Sequence, residues 1–249
     1  LFVGEGATTL VEYFGRGEYR DHSAQTAIQG VFARGAAVFV GLVLLSVALA
    51  GTAAADAPDA GNYTDILDGM DGTGTADSPY QITNVTELQA MAGDLNANYE
   101  LVSDIDASGT SSWNSGSGFD PIGDSTTQFT GSLDGNGYVI YDLSIDRSTD
   151  DVGLIGYLHG GTIENVAVEN ADITGNLDVG VLVGYNYNGQ ISQSSASGVA
   201  SSYVSSGNVA RIGGLVGYNE WSFAVILESY ANVTVSTDGT NAGGLVGWN

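Results

Sequence analysis

Beyond residue 56 the chain offers few groups for acid–base or nucleophilic chemistry: one histidine, His159, two arginines, Arg147 and Arg211, no lysine and no cysteine, but many aspartates. Polysaccharide cleavage by elimination needs a cationic base beside Ca2+-holding carboxylates, and only Arg147 or Arg211 could be that base. Hydrolysis by a carboxylate pair needs two acids at a set separation across the scissile bond. Asp is abundant enough to keep this open, and sequence gives no distance. A Ser–His–Asp relay through His159 lacks the G-x-S-x-G turn that would present the serine, and the setting LHGGT reads as a turn.

For metals, Asp104 with Asp106, Asp134 beside Asn136, and Asp65, Asp68 and Asp71 supply hard oxygen ligands suited to Ca2+. None completes an EF-hand loop or the GGxGxD repeat, and Asp134 to Gly137 is explained by turn geometry alone. We therefore expect solvated turn carboxylates, and assign no catalytic, cofactor-binding or metal-ligating residue. Three N-glycosylation sequons stand at Asn62, Asn84 and Asn232.

Composition narrows the class. The chain has 249 residues, 37 Gly, 3 Pro and a formal net charge of -24, with 29 acids against five arginines. Gly-rich, Pro-poor composition without helical periodicity favours repetitive β structure. At ordinary ionic strength so much like charge repels itself, whereas in molar salt the Debye length falls to about 3 Å and the repulsion is screened. Acidity without lysine therefore reads as adaptation to brine. Nucleic acid is excluded as a partner by the shortage of phosphate-binding cations. Without cysteine, stability must come from burial and backbone hydrogen bonds.

From Ala36 to Ala50 the run AAVFVGLVLLSVALA is apolar, preceded by Arg34 and followed by GTAAADA. This order fits a signal peptide over 34–55 with cleavage after Ala55, Ala57 being a second acceptable site. A membrane anchor is the alternative, since no charge occurs between Arg34 and Asp56. Residues 1–33 begin with Leu and carry Glu5, Glu12, Glu18 and Asp21; they read as an unassigned extension, a wrongly placed start or a fragment boundary. Residues 56–78, rich in Gly, Asp and Ala, read as a flexible acidic linker, with order beginning near Pro79.

The elements that must position any site follow. Asn84 with Glu87 forms a capping box for one short helix over Val85 to Leu95. Tyr99 to Ile105 and Gly137 to Ile145 alternate as strands, within an N-terminal β portion over 79–146. From 147 to 249 a repeat recurs: VGLIGY, VLVGYN, GLVGYN and GLVGWN, marked by Gly156, Gly184, Gly217 and Gly247 at spacings of 28, 33 and 30 residues. Between markers, Ile163, Val166 and Val168 match Ile191, Ser194 and Ala196, then Ile226, Ser229 and Ala231, at identical offsets. Each unit thus supplies two short strands that bury a core only when stacked on copies of themselves. Leu154, Leu182, Leu215 and Leu245 should form an internal ladder, and Tyr157, Tyr185, Tyr218 and Trp248 a stack beside it that is structural before it is a ligand platform.

GGLVGYN followed by I-x-x-S-x-A resembles the GLUG repeat of secreted bacterial and archaeal surface proteins and adhesins. Upstream, SPYQITNVTELQAM, NYELVSDIDAS and FTGSLDGNGYVIYDLSI are similar to the N-terminal parts of GLUG-containing proteins of haloarchaea. The resemblance implies an all-β fold, a right-handed parallel β-helix (β-solenoid) with one short N-terminal capping helix. It also implies an extracellular location on the cell surface, and no catalytic motif to carry over. Expected partners are extracellular carbohydrate or surface proteins, with membrane contact only through the N-terminal segment or a C-terminal anchor beyond Asn249. The first repeat departs from the pattern at Leu158 and His159, the third inserts EWSFAVIL where a Gly turn is expected, and the last stops mid-repeat, as the front of a longer protein would.

Overall fold

The computed structural model describes residues 56–249. The signal segment at 34–55, its cleavage point at Ala55 and the extension before it lie outside the described residues.

A helix stands where a linker was expected. Tyr63, Ile66, Leu67 and Met70 share one face at helical spacing, and α1 (Tyr63–Gly69) buries Leu67 with it. Asp59 caps the 3-10 turn Ala60–Asn62 that leads in, its carboxylate accepting the Gly61 N–H at 2.9 Å. The following helix, α2 (Val85–Ala90), ends earlier than its apolar run and passes into a 3-10 turn, Met91–Gly93. Asn84 Oδ1 accepts from the Thr86 and Glu87 N–H groups at 3.0 Å each, and the Glu87 carboxylate reaches back to the Thr83 N–H at 2.7 Å. The Asn84 side chain thus satisfies two of the helix's orphan donors.

The rest is a parallel β-solenoid of about five turns. Short strands β1 (Tyr80–Ile82), β2 (Asn98–Leu101), β3 (Ile105–Asp106), β4 (Ser132–Asp134), β5 (Val139–Tyr141) and β6 (Ser144–Asp146) form the first turns. Each later coil has four strands rather than the two expected. They are β7 (Asp151–Val152), β8 (Ile155–His159), β9 (Thr162–Glu164) and β10 (Ala167–Gly175), then β11 (Asp178–Val179), β12 (Val183–Tyr187), β13 (Gln190–Ser192) and β14 (Ser195–Ser202). The third coil holds β15 (Arg211–Gly213), β16 (Val216–Glu220), β17 (Val225–Leu227) and β18 (Tyr230–Ser236), and β19 (Asn241–Gly243) and β20 (Val246–Trp248) follow. Strands stack in four columns: β7-β11-β15-β19, β8-β12-β16-β20, β1-β2-β4-β9-β13-β17 and β3-β5-β10-β14-β18, with β6 also on β10.

The extra breaks are corners that the apolar pattern hides. Asn165, Gln193 and Glu228 take φ of 55°, 48° and 49° between the third and fourth strands of successive coils. Left-handed residues turn the chain there without ending the repeat. The Tyr99 to Ile105 run likewise splits into β2 and β3, and Gly137 to Ile145 into β5 and β6.

Registration places like on like. Leu133, Ile163, Ile191 and Ile226 form one inward column, and Ile155, Val183, Val216 and Val246 another. Leu154, Leu182 and Leu215 are fully buried, with Leu245 half-buried on the last coil. The Leu182 N–H donates to the Leu215 carbonyl at 3.0 Å and the Leu215 N–H to the Leu245 carbonyl at 2.9 Å. Burying each such side chain contributes about 1.5 to 3 kcal/mol.

Gly156, Gly184, Gly217 and Gly247 lie where backbones of neighbouring strands nearly touch. A Cβ on Gly184 would stand 2.5 Å from the Val152 nitrogen, and one on Gly217 2.5 Å from the Val179 nitrogen. Gly156 and Gly247 meet the Gly123 carbonyl oxygen at 2.3 Å and the Ile212 nitrogen at 2.4 Å in the same way. The asparagine of each GYN motif is spent inside. Asn186 Nδ2 donates to Asn219 Oδ1 at 2.8 Å, Asn219 Nδ2 to Asn249 Oδ1 at 2.6 Å, and Asn186 Oδ1 accepts from the Gly189 N–H at 3.0 Å. Leu158 stands in register with Asn186 and ends this polar column with an apolar group.

Candidate functional site

The groups with chemical potential gather on the outer side of two adjacent strand columns. In the first, Asp151, Asp178, Arg211 and Asn241 are register partners on β7, β11, β15 and β19. The Asp178 side chain is only 3% exposed, and Arg211 grips it through both Nε and Nη2, the latter at 2.6 Å. Asp178 and Asp151 are hydrogen-bonded to each other. Burial pushes both carboxyls up, Asp151 to about 6 and Asp178 to about 7; the like charge of Asp150 adds to the first, and the Arg211 guanidinium opposes the second without overcoming burial. The two carboxyls interact directly and so titrate as a coupled pair.

Beside it runs the aromatic row on β8, β12, β16 and β20. Tyr157 and Tyr185 stack with centroids 4.5 Å apart and planes at 15°, and Tyr185 meets Tyr218 edge-on at 4.8 Å. Arg211 closes the two columns together, its guanidinium carbon 4.0 Å from the Tyr218 ring centre. Trp248 continues the register, half exposed. The tyrosine faces are thus spent on one another and on Arg211, while burial raises the Tyr157 hydroxyl, with Asp151 adding to the shift. Two residues along the strands, a second row holds His159 against Tyr187 at 5.0 Å, and Tyr187 against Trp221 at 5.6 Å. His159 is the last residue of β8, not a turn residue.

The other candidate groups are dispersed. Arg147 is held by the Phe119 carbonyl at 3.0 Å and Asp120 at 3.1 Å. Asp104 accepts the Val139 N–H, Asp106 the Ser108 N–H, and Asp134 the Asn136 N–H and the Asn165 amide. The Ser108 bonds pull the Asp106 carboxyl down. Asp65, Asp68 and Asp71 are exposed around α1. Among the described residues no group of three or more His, Asp or Glu side chains converges as a metal site would. Asn62, Asn84 and Asn232 are all exposed, and Asn84 is engaged as the α2 cap. Sequence reading missed the Asp151–Asp178–Arg211 column. Asp151 lies three residues before Leu154, whereas Asp178 and Arg211 lie four before Leu182 and Leu215, so aligning the repeats hides it.

The fold defines a class, the stacked β-solenoid built from short repeats. The GLUG motif family matches residues 175–201, the stretch that carries β11 to β14. Halomucin of Haloquadratum walsbyi is 49% identical over 154 residues, 59% of this chain and 2% of halomucin. A protein of Evansella cellulosilytica named for its Gly-rich membrane character is 35% identical over 47% of this chain and 14% of its own length. An immunoglobulin A1 protease of Streptococcus sanguinis is 29% identical over 67% of this chain and 10% of that protein. Among solved structures, a Bacteroides ovatus protein assigned as an immunoglobulin A1 protease superposes with a TM-score of 0.49 at 19% identity, covering 71% of this chain and 63% of that one. The chain thus carries a GLUG motif and is similar over 154 residues to a haloarchaeal protein, and it spans a small fraction of the length of the curated relatives it matches.

Proposed function

We propose that this chain is an extracellular cell-surface β-solenoid that acts as an adhesion, binding or structural module in high-salt surroundings, with surface carbohydrate or neighbouring surface proteins as partners. The observation that carries the reading is the closure of the reactive groups onto one another. Asp151, Asp178 and Arg211 satisfy each other in a column, and the tyrosines beside them pack on one another, Tyr157 on Tyr185 face to face and Tyr185 on Tyr218 edge-on. Regularly repeated strand columns suit spacing and contact. The likeness to halomucin supports a surface setting, and that to the Evansella protein a membrane-associated one.

One observation favours a second reading, a polysaccharide-active hydrolase. Asp151 and Asp178 are carboxyls with raised pKa on neighbouring strands, the paired acids that hydrolysis by two carboxyl groups employs. Against it, Asp178 is buried and clamped by Arg211, so no glycosidic oxygen reaches it without dismantling the column.

The experiment is a glycan-binding screen of the purified protein in molar NaCl, with a reducing-end assay on every glycan retained. Retention without new reducing ends supports the module. Release of reducing ends that stops in Asp178→Asn supports the hydrolase and overturns it.

A further inference from the structure

The corner after the second strand of each coil repeats a demand for left-handed backbone. Gly160 takes φ 69° after β8, Asn188 φ 60° after β12, and Trp221 φ 82° after β16. The column is stitched by the Gly160 N–H on the Tyr187 carbonyl at 2.9 Å and the Asn188 N–H on the Glu220 carbonyl at 3.3 Å. Glycine and asparagine meet that demand cheaply. A bulky aromatic does not, and such a residue held left-handed is a marked outlier. The first two corners span two residues, Gly160-Gly161 and Asn188-Gly189, but the third spans four, Trp221-Ser222-Phe223-Ala224. Asn219 Nδ2 on the Ala224 carbonyl at 3.3 Å, and the Ala224 N–H on the Trp221 carbonyl at 3.0 Å, hold the enlarged loop in place.

The strained residue does not serve the core. Trp221 is 60% exposed and Phe223 73%, and the contact of Trp221 is with the Tyr187 ring at 58°, which leaves much of the indole to solvent. His159 stands edge-on behind Tyr187, and Glu220 is Tyr187's register partner. Exposed indole and phenyl rings beside an imidazole and a carboxylate are the chemistry that recognises a sugar: C–H faces stack on the rings while hydroxyls bond to the polar groups. Charge narrows the ligand. Among the described residues the nearby guanidinium, Arg211, is committed to Asp178 and Tyr218, and the whole chain carries -24. Anionic glycans therefore find no free guanidinium there among the described residues. Cationic ones would depend on attraction that molar salt screens, whereas stacking persists in it.

Resting on the reading as a surface module, we infer that the Trp221–Phe223 loop, with Tyr187, His159 and Glu220, is a contact site for uncharged polysaccharide. Among the described residues the site belongs to this coil alone of the three corners, so the described solenoid binds at one point while the neighbouring coils space it.

The test titrates the full chain in molar NaCl with a neutral β-glucan, a mannan, chitosan and polygalacturonate, by affinity electrophoresis and tryptophan fluorescence. The variants are Trp221→Gly, Phe223→Ala and Tyr230→Ala, the last an exposed ring on β18. Expected are binding of a neutral polymer, a loss of about tenfold or more in affinity for Trp221→Gly, as for removal of an aromatic anchor, and no change for Tyr230→Ala. Trp221→Gly should keep or raise Tm, because glycine relieves the corner; a merely structural tryptophan would lower it. Neutral-polymer binding that survives Trp221→Gly and Phe223→Ala overturns the site and leaves the module reading standing. Binding confined to chitosan or polygalacturonate overturns the ligand class, as does a lack of binding to all four. Self-association lost in Trp221→Gly with no glycan retained would assign the loop to a second copy instead. New reducing ends would overturn the module reading itself.

Discussion

Replacing Arg211 by Met removes the guanidinium that clamps Asp178 while keeping an unbranched apolar stem under the Tyr218 ring. Asp178 is 3% exposed and its other partner is a carboxyl, Asp151. Removing one partner of a buried ion pair typically costs about 3 to 5 kcal/mol, because the remaining charge stays desolvated. For a domain of this size that is roughly 6 to 20 °C in Tm. The loss must depend on pH. Both carboxyls have folded pKa values raised above their unfolded values near 3.9, to about 6 and about 7. The folded state then binds more protons than the unfolded state between about pH 4 and 8, so stability rises as pH falls through that window. Without Arg211 the Asp178 carboxyl shifts further up, its neutral form needs no counter-ion, and the variant recovers more than the parent on acidification. Thermal unfolding followed by circular dichroism in molar NaCl, from pH 8 to pH 5, should show a wide gap at pH 8 that narrows steadily. A gap under about 1 kcal/mol at pH 8, or one independent of pH, would refute the buried-column argument.

Three further outcomes follow from the same geometry. Gly184→Ala places a methyl 2.5 Å from the Val152 nitrogen and 2.8 Å from the Gly156 oxygen, both backbone, and should cost about 1 to 3 kcal/mol or more in denaturant unfolding; Gly160→Ala meets open space around its Cβ and should cost only the strain of its left-handed φ. Asn219→Leu cuts the amide column at its centre, leaving the buried Asn186 amide without one acceptor and Asn249 without its donor, and should destabilise by about 1 to 3 kcal/mol; native-state hydrogen exchange should show the opening concentrated around β12 and β16. With net charge -24, the midpoint of thermal unfolding should rise on going from dilute buffer to molar NaCl, since the Debye length shrinks to about 3 Å; a fall would contradict the reading of the acidity.

The repeat was legible because identical offsets between apolar residues survive stacking. Leu154, Leu182 and Leu215 bury together, and each Gly of the marker series sits at a close backbone approach that leaves no room for a side chain. The number of strands per coil was not legible, since corners at Asn165, Gln193 and Glu228 are set by backbone dihedral angle rather than by apolar pattern. The helix at Tyr63–Gly69 was hidden by Gly and Asp composition, although its face at Tyr63, Ile66, Leu67 and Met70 was there to be counted. Asp151 and Asp178 come together through strand register across a one-residue difference between coils, which no linear alignment of the repeats displays. The EWSFAVIL insertion was visible as a departure, but its strain and exposure became apparent only once Trp221 was placed beside Gly160 and Asn188 at the same corner.

The most direct test of the account is surface labelling of the intact cells that make the protein, with an antibody raised against residues 56–249 and applied in their own high-salt medium. The account predicts strong labelling of unbroken cells that brief external proteolysis removes. Labelling that appears only after lysis would contradict it.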